Sequence, residues 1–572
     1  MSSEVPTPST RPGVAPRPPD QVMRLSRMGA FHQTRLSFMR ALLRRLKAER
    51  WRFSRPLWRI DAAGEGVAVY RAEQPGGRCY SLVCFGHDLP PELRSDRVIA
   101  ERWDATFALV DGEPTVADLE RLARNVPLQE AGRLSERELV LSRANRGVRL
   151  FEHVVEALAA GRQPQREHLD AVGYLMRTTA VYGNGKFGMA DRDRIAGRPE
   201  LAGPFRAEML AVWLIRAFTV DLAEHLARMR APHSAVPMDR ALRRCLGVGN
   251  STGLGMAPFL MSHPALLHAW MLARETALAR VRSLPRALPG SLDAFAAALD
   301  RARCQTAGWV TGDPRQRARV DGLAQDLDRL AAHVASAPPA GRRPWDALYR
   351  WGEQSLELEA QEMLVSLLIE PHGEVVDDLA DTMAADELAG FRIDGGVSAE
   401  HMRELIQRHY AWALALDYQQ PARRARFWYV SEEKLEPRLG ERDREPGSEL
   451  EQPYAAGRDV AALYATLTDA APGARLADVL LAHPEHRHAA RRVQIVARCP
   501  YAEIRDNLVD AELVPVDLLR CKLSFFGATR FDPRSDRWVR ITMYKDAPFP
   551  DELDRFEADD WALPPAARVP VP

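Results

Sequence analysis

Lysine is nearly absent from this chain: Lys47, Lys186, Lys434, Lys522 and Lys545 are the only five, which leaves 73 of the 78 basic residues as arginine. Chemistry that needs a removable amine proton is confined to those five positions, because a guanidinium stays protonated. The arginine excess also fits a GC-rich bacterial genome. Net charge is absent too, with 78 basic against 78 acidic residues, so no global field draws the protein to nucleic acid or to an anionic membrane. Long apolar runs are missing. Met209 to Ile215 and Met363 to Ile369 are the longest, well under the ~20 residues that span a bilayer, and no membrane anchor is expected. Cysteine pairs are missing as well: Cys79, Cys84, Cys245, Cys304, Cys499 and Cys521 are scattered, with no Cys-x-x-Cys to hold zinc or run thiol exchange. They read as reduced thiols of a cytoplasmic protein. The N-terminus has no apolar stretch of the kind a secretory signal needs; its Pro, Ser and Thr make residues 1–22 a disordered leader. An Arg-rich, acid-poor stretch follows, for which a mitochondrial presequence is the minor alternative.

What is present is ordinary globular material. The 572 residues are 46% hydrophobic and 27% charged, enough for a sizeable core and too long for one domain. Residues 23–115 comprise a basic amphipathic helix, Met23 to Trp51, then short alternating runs at Leu57 to Asp61, Val67 to Glu73, Arg78 to Phe85 and Thr106 to Val110 that predict an antiparallel meander. Helical periodicity dominates residues 116–336, a first helical lobe. The Pro- and Gly-bearing stretch Ser336 to Pro344 separates it from a second helical lobe at 345–500. Residues 501–572 pack back on the body, and Arg537 to Tyr544 alternates like a strand that joins the N-terminal sheet. The expected fold class is thus predominantly α-helical (α+β), all-α outside one small sheet near the N-terminus and its C-terminal strand.

Two glycine-rich polar segments interrupt the helical territory, where glycine costs about 1 kcal/mol relative to alanine. The first, Arg177 to Gly188, carries Tyr182, Asn184 and Lys186 among three glycines. The second, Gly247 to Gly255, carries Gly249, Asn250, Ser251, Thr252 and Gly253 and leads toward another helix. Glycine-rich backbone at a helix start presents N–H groups to an anion; helix caps alone are the bland reading. Asp239 to Leu246 reads as a helix and not the strand a dinucleotide fingerprint requires, and neither a Walker A loop nor a Gly-x-Ser-x-Gly elbow is present. Near the C-terminus, Arg520 and Lys522 are further cations suited to a carboxylate.

These residues point to an enzyme holding a small anionic metabolite, carboxylate or phosphate, with Arg177, Asn184, Gly249, Asn250, Ser251, Thr252, Gly253, Arg520 and Lys522 as binding residues. Lys186 or Tyr182 would transfer protons. Lyase, isomerase or hydrolase chemistry fits, no metal or cofactor is required, and a homo-oligomer is compatible. Neither a membrane nor nucleic acid is an expected partner. One alternative is a non-enzymatic ligand- or nucleic-acid-binding protein that uses the basic N-terminal helix. A third reading is a helical metalloenzyme built on Glu353, Glu357, Glu359, Glu362, Glu370, His372 and Glu374. The His483 to His488 cluster matches no standard ligand spacing.

Overall fold

The computed structural model describes residues 13–89, 103–127, 135–178, 195, 197–250, 263–309, 312, 314–383, 391–420, 427–431, 437–440, 448–451, 456–505, 520, 522–527, 530–533, 539–556, 559 and 561–562. Of the two glycine-rich segments, Tyr182, Asn184, Lys186, Ser251, Thr252 and Gly253 therefore lie outside the described residues.

The meander segments form β1 (Arg52–Ile60), β2 (Gly66–Glu73), β3 (Cys79–Gly86) and β4 (Ala105–Asp111). They do not end there. β5 (Glu138–Arg146), β6 (Tyr174–Thr178) and β7 (Gly247–Asn250) continue the same sheet, and β11 (Arg530–Pro533) with β12 (Val539–Met543) completes it in the order β1-β2-β3-β4-β5-β6-β7-β12-β11. The expectation of a predominantly helical, nearly all-α chain with a small N-terminal sheet is corrected: this is an α+β protein built on a nine-stranded mixed sheet. The C-terminal strand does join it, but beside β7 rather than beside the meander. Three of the overlooked strands lie inside the stretch read as a helical lobe. Their sequences hide them physically. β5 is buried along almost its whole length and so does not alternate, whereas β6 and β7 are only five and four residues long. The remaining strands β8 (Phe427–Ser431), β9 (Pro437–Gly440) and β10 (Ser448–Glu451) form a separate three-stranded sheet.

Helix α1 (Phe38–Ala48) buries Phe38, Met39, Leu42, Leu43 and Leu46, so its apolar stripe docks on the body. Helix α2 (Arg206–Arg230) is apolar nearly all round and lies against β3, β5, β6 and β7 at the heart of the main core. Helices α3 (Pro264–Arg282) and α4 (Leu358–Ile369) belong to that core too. A second core is made by α5 (Ala399–Leu414), α6 (Ala456–Thr468), α7 (Leu476–Ala482) and α8 (Arg487–Arg498). Among the described residues no helix is long and apolar enough to cross a membrane.

The N-terminal segment enters this core. Arg17, inside the stretch expected to be a leader, is only 4% exposed and grips Glu275 on α3 and Glu362 on α4, with four N···O distances of 2.8–3.1 Å. Tyr501 donates its hydroxyl to the Arg17 carbonyl at 2.7 Å. Deleting residues 1–17 is accordingly expected to cost ~2 kcal/mol, the scale of losing charge-assisted hydrogen bonds. An unchanged urea midpoint would show that the docking adds nothing.

Candidate functional site

β6 and β7 form the one parallel pair among the described strands. Because they run the same way in near register, with Arg177 opposite Gly249, the chain leaves both at one edge of the sheet, after Thr178 and after Asn250. The two glycine-rich segments thus depart side by side. In open sheets with parallel strands, ligands gather outside such carboxyl ends, where the strand order changes direction. The Asn250 side chain ties the two exits together by donating to the Thr178 carbonyl at 3.3 Å.

Glycine in β7 answers a packing requirement. A Cβ on Gly249 would stand 2.8 Å from the Tyr174 ring and 2.8 Å from Arg177 Cγ, and one on Gly247 would stand 2.2 Å from the Met543 carbonyl oxygen of β12. Gly247 to Asn250, read from sequence as the opening of a turn, is a strand whose missing side chains let two neighbours close over it. A bulge makes that possible: between Tyr174 and Arg177 the β6–β7 register slips by one residue. In a regular strand residues three apart face opposite ways; here both lie over Gly249.

Register also aligns Asn145 of β5, Arg177, Gly249 and Thr542 of β12 in one row across four strands. All three side chains of that row are buried. The Asn145 side-chain Oδ1 accepts from the Asp104 N–H at 3.2 Å, which leaves its amide NH₂ as the end without a hydrogen-bond partner among the described residues. The Tyr174 hydroxyl, on a residue 2% exposed, also has none. Buried polar groups are nearly always satisfied, and two that make no hydrogen bond among the described residues lie on the strands that meet at Arg177. Asn145, Tyr174 and Thr542 escaped sequence reasoning, since neither the bulge nor the cross-strand register is written in local pattern.

The other expected site residues lie elsewhere or are already engaged. Arg520 is buried against Glu359, donates to the Ser26 carbonyl at 2.8 Å and stands over the Phe31 ring at 5.4 Å. It joins the C-terminal segment to the N-terminal one rather than standing at the strand ends. Lys522 follows it in a short π-helical turn, Lys522–Phe526. Three glutamates of the metalloenzyme reading are held by arginines: Glu362 by Arg17, Arg27 and Arg274, Glu359 by Arg520, and Glu370 by Arg40 at 2.6 and 2.7 Å. Among the described residues no group of three or more His, Cys, Asp or Glu side chains is placed to hold a metal. Two cations of α1 are likewise committed: Arg40 is fully buried on Glu370 and Asp559, and Arg44 meets Asp559 at 2.6 Å.

Comparison of the chain with protein-family models, with curated proteins and with solved structures gives no match.

Proposed function

We propose that the chain is an enzyme that binds a small anionic metabolite, a carboxylate or a phosphate, at the carboxyl ends of β6 and β7. One observation carries this reading. Tyr174 and Arg177 pack over Gly249 and Asn145 pairs with Arg177, while the Asn145 amide and the Tyr174 hydroxyl, both able to donate, make no hydrogen bond among the described residues. A set of convergent donors is complementary to an acceptor-only guest, and an anionic oxygen makes the stronger hydrogen bonds. Lys186 and Tyr182, ten or fewer residues beyond Arg177 in the sequence, are the proposed proton-transfer groups, with Asn184, Ser251, Thr252 and Gly253 as further contacts. Lyase, isomerase and hydrolase reactions all use such a set, an oriented cation with a neutral donor and a movable proton.

Tyr174→Phe isolates the idea. Because that hydroxyl has no partner among the described residues, deleting it should leave unliganded stability within about 0.5 kcal/mol of wild type, or raise it slightly. Phosphate, sulfate or malonate at one hundred times its dissociation constant should stabilise the wild type by about 2.7 kcal/mol, and the variant should need roughly tenfold more anion for the same shift. Thermal melting with an anion titration reads both. An identical response in the two proteins would remove Tyr174 from the site, and no response in wild type would remove the site itself. Lys186→Met tests the chemistry: turnover should vanish with the fold intact, and Lys186→Arg then separates a simple cation, which keeps activity, from proton transfer, which does not.

A further inference from the structure

A cleft of about 1060 Å³ lies between α1, the start of α2 and the C-terminal segment, away from the strand ends. Its volume is that of a small-molecule site. Its lining mixes apolar side chains, Leu43, Pro548, Leu553, Phe556 and Trp561 among them, with charged ones. Each lining carboxylate is taken by an arginine. Asp377 is held by Arg35 at 2.7 Å, Asp559 by Arg44 at 2.6 Å, Asp378 by Arg280 at 2.6 Å, and Glu49 by Arg45 at 2.7 Å. Asp381 is shared by Arg45 at 3.0 Å and Arg206 at 2.8 Å. Two lining cations have no carboxylate among the described residues: Lys47, whose amine donates to the Phe556 carbonyl, and Arg50. The unmatched charge of the cleft is therefore positive.

Two further features show that the fold puts cations here against local preference. Arg50 occupies the residue just past the end of α1, with φ 55°, and the bonds Arg50 N–H to Lys47 O and Trp51 N–H to Leu46 O, both 3.0 Å, close a Schellman cap. Glycine is the usual residue at that position, since a Cβ is strained there. Arg206 sits in the first turn of α2, where the helix dipole favours an anion, and among the described residues its one carboxylate, Asp381, is shared with Arg45. Burial, and then the neighbouring charge of Arg45, lower its pKa. A dianion entering the cleft would meet Lys47, Arg50 and Arg206 and relieve that crowding.

We propose that this cleft is a second anion site, distinct from the strand ends, which takes an organic phosphate whose apolar part rests on the apolar side chains of the lining, Phe556 among them. The charge left over suits a phosphomonoester dianion, and those apolar side chains have no use for inorganic phosphate.

Phenyl phosphate is the probe, titrated calorimetrically into the full chain. Wild type should bind it, bind inorganic phosphate at least about tenfold more weakly, and ignore phenol. Arg50→Gly is the decisive variant, because glycine relieves the left-handed backbone: its melting temperature should rise while phenyl phosphate affinity falls about tenfold. Lys47→Met should weaken binding in the same direction, and Tyr174→Phe should leave it unchanged. Wild-type affinity in Arg50→Gly, or no binding to wild type, overturns the proposal. Loss of binding in Tyr174→Phe alone would place the phosphate at the strand ends and overturn it equally.

Discussion

Glu362→Ala is expected to destabilise the chain by ~3–5 kcal/mol, the cost of breaking a buried ion pair from one side. Glu362 is fully buried and accepts from Arg17 at 2.8 and 3.1 Å, from Arg274 at 2.5 Å and from Arg27 at 3.1 Å. Without it three guanidinium groups crowd one another, and among the described residues Glu275 is the carboxylate left to share between Arg17 and Arg274. Burial alone would raise the Glu362 pKa; the charges of Arg17 and Arg274 overcome it and bring the group down to about 2 from 4.5. Glu370, buried against Arg40, likewise falls to about 2. A carboxylate with a depressed folded pKa contributes stability that is complete above the unfolded value and lost as pH falls through the folded one. The two glutamates should therefore add roughly 3 kcal/mol each above about pH 4.5, decaying toward pH 2. Urea midpoints taken from pH 7 down to pH 2 check this: the wild type should lose stability steeply across that window, and Glu362→Ala should lose measurably less. Parallel curves would show that Glu362 does not titrate as the buried network requires.

Gly247→Ala should be nearly as damaging, at ~3 kcal/mol, because the added methyl meets not only the Thr542 methyl but backbone that cannot swing away. Its Cβ would lie 2.2 Å from the Met543 carbonyl oxygen and 2.8 Å from the Lys545 nitrogen. The only relief is to push β12 away from β7, and the pairs Ile541 with Asn250, Thr542 with Gly249 and Met543 with Val248 would go with it. Two strands at the far end of the sheet, β12 and β11, hang on that contact. Hydrogen exchange at the β12 amides gives the readout. Faster exchange confined to β12 and β11 is the expected pattern, and native-like protection there would mean that the strand spacing yields at small cost.

Local chemistry was legible in the sequence wherever it repeats within one element. The meander of β1 to β4 and the apolar stripe of α1 are visible because turn-bounded runs and a spacing of three to four residues lie within single elements. The glycine segments announced a special place for the same reason, glycine being costly inside a helix or strand. Arg177, Gly249 and Asn250 were singled out that way, and the structure places them on the neighbouring strands β6 and β7.

What the sequence could not hold was the pairing of distant segments. That Val248 stands beside Met543, that a bulge turns Tyr174 and Arg177 to one side, and that Arg17 reaches Glu362 across 345 positions are facts of long-range closure. Loop closure has an entropy that grows only slowly with chain length, so local pattern places little restriction on which remote strand completes a sheet. Composition and periodicity determined that this chain has elements to bury and where its unusual glycines lie. Only the tertiary structure decided that those glycines are a strand between two neighbours, because what excludes a side chain at Gly247 and Gly249 is the backbone of β12 and the ring of Tyr174, atoms up to 296 residues away by number, from 247 to 543.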